Sequence, residues 1–118
     1  MDNQTVIQMV ADACDAKQAK DIIALDMEDI SLMTDYFLIC HGTNERQVQA
    51  IARAVKDTMD EAELQVIRME GFDQARWILV DLGDIVCHIF HHDERQYYNL
   101  ERLWGDASRV ELNAGQNG

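Results

Sequence analysis

Residues 77–90 read WILVDLGDIVCHIF. Two β-rich runs, 77–82 and 85–90, flank Gly83-Asp84, the pattern of a tight hairpin with glycine where the turn needs a positive φ. With that turn, Leu82 pairs with Ile85, Val80 with Cys87 and Ile78 with Ile89. Strand alternation puts these six residues on one wholly apolar face, which must be core. The other face carries Trp77, Leu79, Asp81, Val86, His88 and Phe90, mixing two large aromatics with a carboxylate and an imidazole. Two readings of this mixed face stand side by side. In one, a helix covers it and Asp81 and His88, as diagonal neighbours, hydrogen-bond each other. In the other it lies partly open as a docking patch, since aromatic anchors with a few polar groups are what interface hot spots are made of.

Upstream, residues 36–41 (YFLICH) read as a buried strand ended by Gly42, and 21–26 (DIIALD) as a shorter one. Between them lies an acidic, turn-like stretch over 27–34. Val6, Met9, Val10, Ala13 and Cys14 recur at helical spacing and predict a first helix over 5–17, with Asn3 or Thr5 as its cap. Asn44 and Gln47 fit an N-cap with its reciprocal partner. The helix they open carries an apolar stripe of Val48, Ile51, Ala52, Val55 and Met59, reaching about residue 63. Residues 65–70 are a further strand candidate. Beyond the hairpin, 93–104 returns to helical spacing and brings Tyr97, Tyr98, Leu100, Leu103 and Trp104, more large residues than a short terminal helix needs. Residues 108–118 have little to bury and read as a loose tail on a domain spanning 1–107. The order α-β-β-α-β-β-β-α predicts an α/β (α+β-like) single domain. Its mixed five-stranded sheet has helices packed on it, because a strand–helix–strand crossover favours parallel pairing.

Composition narrows the function. The chain has 118 residues, 47% of them hydrophobic, enough for one core. With 22 acidic and 10 basic residues its formal charge is -12. That argues against gripping nucleic-acid phosphates and favours a basic partner. No run of 18 apolar residues offers a membrane span, and the N-terminus lacks the basic start and apolar stretch of a secretory signal. Cys14, Cys40 and Cys87, an odd set without pattern, read as free thiols of a reducing cytosol.

Catalytic chemistry finds little purchase. His88, His91 and His92 with Cys87 and Asp93 form the only metal-like cluster, and strand alternation divides them between faces, so no metal is expected. Gly42-Thr43-Asn44 could offer backbone N–H groups to an anion, but it lacks a phosphate-loop pattern, and an N-cap explains it. Asp81 and Asp84 could be imagined on a metal for nucleotidyl transfer, without the further carboxylate or Gly-Ser loop that this needs. Ser31 and Ser108 sit in no nucleophile elbow. Nothing demands an enzyme.

Four blocks carry a resemblance: AKDIIALDM, TDYFLICHGTNERQVQAIA, WILVDLGDIVCHIF and YNLERLW. In order and spacing, over residues 17–107, they resemble the ribosomal silencing factor (Iojap-like) family. The resemblance implies a nucleotidyltransferase-like topology without enzymatic activity or cofactor. It implies a cytoplasmic translational repressor that binds the large ribosomal subunit through ribosomal protein fourteen, with little direct RNA contact and no membrane. Occupying that face blocks subunit joining and lowers translation when nutrients are scarce. Carried over by motif, the protein-binding residues are Trp77, Leu79, Asp81, His88 and Phe90 of the hairpin and Tyr98, Leu100, Leu103 and Trp104 of the last block. Trp77 would be the anchor, with Asp81 and Asp84 as charge partners for Lys or Arg. Cys87 stands where the family commonly has an aliphatic residue. The family is also often dimeric, so a homodimer through the aromatic face is a rival use of the same surface. An alternative of another class is a nucleotide-binding or nucleotidyltransferase-like enzyme that keeps an ancestral pocket.

Overall fold

The hairpin forms as its alternation predicts. Strands β4 (Trp77–Asp81) and β5 (Ile85–His91) pair antiparallel with Ile78 opposite Ile89 and Val80 opposite Cys87. Leu82 N–H donates to Ile85 C=O at 2.9 Å, and Gly83 takes a φ of +98°, which glycine adopts without a Cβ penalty. The computed structural model describes residues 1–98, 105 and 107–112, with side chains up to Arg95 and again at 105 and 107–112.

Around the hairpin lie α1 (Asn3–Ala16), β1 (Lys20–Asp26), β2 (Tyr36–Gly42), α2 (Glu45–Glu61), β3 (Arg68–Glu70), α3 (His92–Tyr98) and β6 (Ser108–Val110). One sheet of six strands runs β3-β4-β5-β2-β1-β6. Among the described residues its only parallel pair is β2 with β5, in a seven-residue register from Tyr36 opposite Ile85 to Gly42 opposite His91. The mixed sheet with helices on it is as expected, and the strand count is corrected from five to six. The extra strand comes from residues 108–110, assigned to the tail. Ser108, Arg109 and Val110 pair antiparallel with Asp26, Leu25 and Ala24. They hide little themselves and are ordered by backbone bonds to β1, which no hydropathy pattern announces.

Helices α1 and α2 cover one face of the sheet. Val6, Ile7, Val10, Ala11 and Cys14 from α1 and Val48, Ile51, Ala52 and Val55 from α2 meet Ala24, Leu38, Ile78, Val80, Cys87 and Ile89. Cys14, Cys40 and Cys87 are free and at most 1% exposed. Burial pushes the Cys87 thiol up, and a hydrogen bond with Cys40, then burial, raises Cys14, so neither is a ready nucleophile.

The caps explain where the helices start. Asp2, rather than Asn3 or Thr5, caps α1, its Oδ1 accepting from Thr5 N–H at 2.8 Å. Asn44 caps α2 as expected, accepting from Gln47 N–H at 2.8 Å. The Gln47 side chain does not reach back to Asn44 N–H. Its Oε1 accepts from Thr43 N–H at 2.7 Å, while its Nε2 donates to the carbonyls of Lys17 and Gln18, at 3.1 and 3.0 Å. Gln47 thus clasps the start of α2 to the end of α1. A Cβ at Gly42 would come within 3.1 Å of both the Gln47 Oε1 and the Val48 side chain, so a larger residue there would make these side chains give by a few tenths of an ångström. Asn44→Ala is expected to lower stability by about 1 kcal/mol, the usual cost of an N-cap oxygen. A urea titration showing an unchanged midpoint would reject that role.

Candidate docking surface

The sheet face away from α1 and α2 carries the aromatic set. Register places Trp77 opposite Phe90, Leu79 opposite His88 and Asp81 opposite Val86 on the hairpin. Across the parallel pair, Phe37 is opposite Val86, Ile39 opposite His88 and His41 opposite Phe90. Phe90 is 1% exposed and forms a second small core with Leu25, Met27 and Ile39. Trp77 and Phe37 pack against that cluster and stay half-buried.

Trp77 is held on three sides. Its ring stacks on Phe90 with centroids 5.0 Å apart and 28° between planes. Its indole N–H donates to His88 Nδ1 at 3.1 Å. His88 in turn receives Phe37 edge-on, at 4.5 Å and 70°. This corrects the expected Asp81–His88 bond. Asp81 instead accepts from Gly83 N–H at 2.9 Å, pinning the turn, and faces Arg68 Nε at 3.4 Å. Because Nδ1 accepts from the indole, the ring proton of His88 sits on Nε2, which is buried and meets no acceptor. Burial holds the imidazole neutral, lowering its pKa to about 4. A buried donor without an acceptor costs about 1–3 kcal/mol, and here it accompanies the placement of Trp77.

Helix α3 closes the far end of this face. Arg95 donates to Asp21 C=O at 2.8 Å and lies 3.0 Å from His41 Nδ1. Asp21, with a φ of 49° at the irregularity in β1, turns that carbonyl out to meet it. Arg76, just before Trp77, binds Glu94 of α3 through Nε and Nη2, at 3.2 and 3.0 Å. The strand that carries Trp77 and the helix after β5 are therefore fixed to each other.

Of the ten expected contact residues, the structure gathers Trp77, Leu79, His88 and Phe90 on one face, with Asp81 at its turn end. His88 and Phe90 are buried, so they support the surface, while Trp77 and Leu79 form it. Asp84 is set apart. It is exposed in the turn near the start of α1, where Asn3 Nδ2 approaches its carboxylate at 3.4 Å. Leu100, Leu103 and Trp104, and the Tyr98 side chain, lie outside the described residues. Phe37 is the contributor that sequence reasoning missed. Its signal was the alternation of β2, usable only once β2 is known to neighbour β5.

The anion reading of Gly42-Thr43-Asn44 gives way to the cap, since Gln47 and Asn44 occupy the Thr43 and Gln47 N–H groups. Among the described residues, no group of three or more His, Cys, Asp or Glu could hold a metal ion. No helix among them is long and apolar enough to cross a membrane.

A family profile described as "Ribosomal silencing factor during starvation" matches residues 1–117. The chain belongs to the ribosomal silencing factor family. It is 62% identical over 117 residues to the ribosomal silencing factor of Bacillus subtilis strain 168, covering 99% of each chain. A crystal structure from Bacillus halodurans superposes with a TM-score of 0.83 at 53% identity, covering 93% of this chain and all of that one. A second, from Chromobacterium violaceum, gives 0.87 at 31% identity over 98% and 96% of the two chains. A regulatory family of this kind agrees with a site built for contact rather than turnover. The residues that support the half-buried aromatic face lie on regular strands.

Proposed function

We propose that the protein is a translational repressor that binds the large ribosomal subunit through ribosomal protein fourteen and sterically prevents the small subunit from joining. Membership of the silencing-factor family carries this reading. The surface supports it: Trp77 is half-buried, its indole N–H already satisfied by His88, so the ring can enter a partner's pocket without leaving a buried donor unpaired. A charge of -12 disfavours rRNA and favours a basic ribosomal protein. The protein acts by occupying a face, in the cytoplasm, rather than by catalysis, with little direct RNA contact. Self-association through the same face, as a homodimer, would compete with ribosome binding.

The test is co-sedimentation with isolated large subunits, followed by addition of small subunits. Co-migration with the large subunit, loss of the joined peak and a modest fall in affinity with salt are expected. Failure to bind at micromolar protein and moderate salt would sink the reading. A nucleotide-dependent rise in melting temperature with millimolar NTP and Mg²⁺ would then favour the nucleotide-binding class.

A further inference from the structure

The connection between β1 and β2 holds large apolar side chains in water. Leu32 is 104% exposed, Met33 88% and Ile30 39%. The loop is nevertheless held by its own hydrogen bonds. Met27 N–H donates to Asp35 C=O at 2.7 Å, and the N–H groups of Ile30 and Ser31 both reach Met27 C=O. The Ser31 hydroxyl accepts from Met33 and Thr34 N–H, at 3.1 and 3.4 Å. The buried Thr34 hydroxyl donates across to Asp84 C=O at 2.8 Å, tying the loop to the hairpin turn. Tyr36 OH donates to Glu28 at 2.8 Å. The root of the loop is Met27, fully buried at the hairpin-turn end of the small core that also holds Leu25, Ile39 and, at its other end, Phe90. The loop is thus a fixed apolar knob planted at the rim of the aromatic face.

Its charge says what it meets. Asp26, Glu28, Asp29 and Asp35 surround the knob, and no Lys or Arg occurs between Lys20 and Arg46. A second copy docking symmetrically would bring these carboxylates together, and phosphate-bearing surfaces, RNA or anionic lipid, are repelled. What fits is a protein surface with an apolar depression rimmed by Lys and Arg. Resting on the reading that the partner is a basic ribosomal protein, we propose that Leu32 and Met33 form a second contact with that partner. They would enter a basic-rimmed apolar depression at the turn end of the face, the opposite end of β4 from Trp77.

The experiment compares wild type, a Leu32→Ser/Met33→Ser double variant and Asp29→Arg for binding to isolated large subunits, with melting temperature and sedimentation of the free protein measured alongside. Exposed side chains leave no cavity when truncated, so the double variant should melt as wild type does and bind at least tenfold more weakly. Asp29→Arg should also weaken binding, through repulsion by the partner's basic rim. Wild-type affinity in the double variant would overturn the second contact and leave the ribosomal reading intact. Tighter binding by Asp29→Arg would show a phosphate partner and overturn it as well. A double variant that loses self-association while keeping subunit binding would assign the knob to a second copy. Wild type failing to bind at all would overturn both the knob and the function it rests on.

Discussion

Trp77→Ala should weaken binding to isolated large subunits by more than about 30-fold, corresponding to the roughly 2 kcal/mol that marks an interface hot spot. The expectation follows from how the ring is held. Stacked on Phe90 and bonded to His88, it has little side-chain entropy left to lose on association. Its truncation also uncovers Phe90 and strips His88 of its one hydrogen bond, so a drop in stability accompanies the loss of binding. Trp77→Phe separates the two effects, because it keeps an aromatic ring on Phe90 and removes only the N–H. That variant should stay folded and bind with intermediate affinity. If Trp77→Ala were folded by circular dichroism and bound like wild type, the anchor would be elsewhere and the indole would be a structural element of the second core.

Acid should destabilise the fold from about pH 6.5 downward. The His88 imidazole, ordinarily near 6.5, is lowered to about 4 by burial. Between those values the unfolded chain holds a proton at this site that the folded chain refuses, so unfolding takes up a proton and stability falls as pH falls. The stability present above pH 6.5 is lost progressively down to about pH 4, by roughly 3 kcal/mol from this group alone. Protonation would also aim an Nδ1–H at the Trp77 N–H, removing the bond that orients the indole. Denaturant midpoints across this pH window test the point, with His88→Phe expected to flatten the slope. A slope that survives the substitution unchanged would place the acid sensitivity in other groups.

How much of this could be read from the sequence depends on the range of the interactions. The hairpin was legible because turn chemistry and alternation are both local: Gly83 needs its positive φ, and the apolar face follows by counting. The cap at Asn44 was legible for the same reason. The partner of the Gln47 side chain was not, since Lys17 and Gln18 arrive from another helix end. His88 shows the limit most clearly. Lying opposite Leu79, it has Trp77 and Asp81 as diagonal neighbours, each two residues from Leu79, and counting cannot choose between them. The twist of the sheet brings one diagonal closer than the other, and Asp81 is meanwhile claimed by the Gly83 N–H. The knob at Leu32 was passed over because an acidic, turn-like stretch looks solvated. Only the hydrogen bonds to Ser31, Thr34 and Asp84 show its apolar residues to be held in place.

The short strand β6 has a consequence for how the protein behaves in crowded solution. Both outermost strands of the sheet, β3 and β6, are three residues long, while the strand that β6 screens, β1, is seven. Without Ser108–Val110 alongside, the Ala24–Asp26 backbone would present open donors and acceptors next to Ile22 and Ile23, a template for another chain to extend. The irregularity between Lys20 and Ile23 already spoils the other half of that strand as a template. Three residues of little hydrophobic worth therefore act as a guard against edge-to-edge aggregation, letting the molecule keep one surface available for a partner without leaving its sheet open to copies of itself.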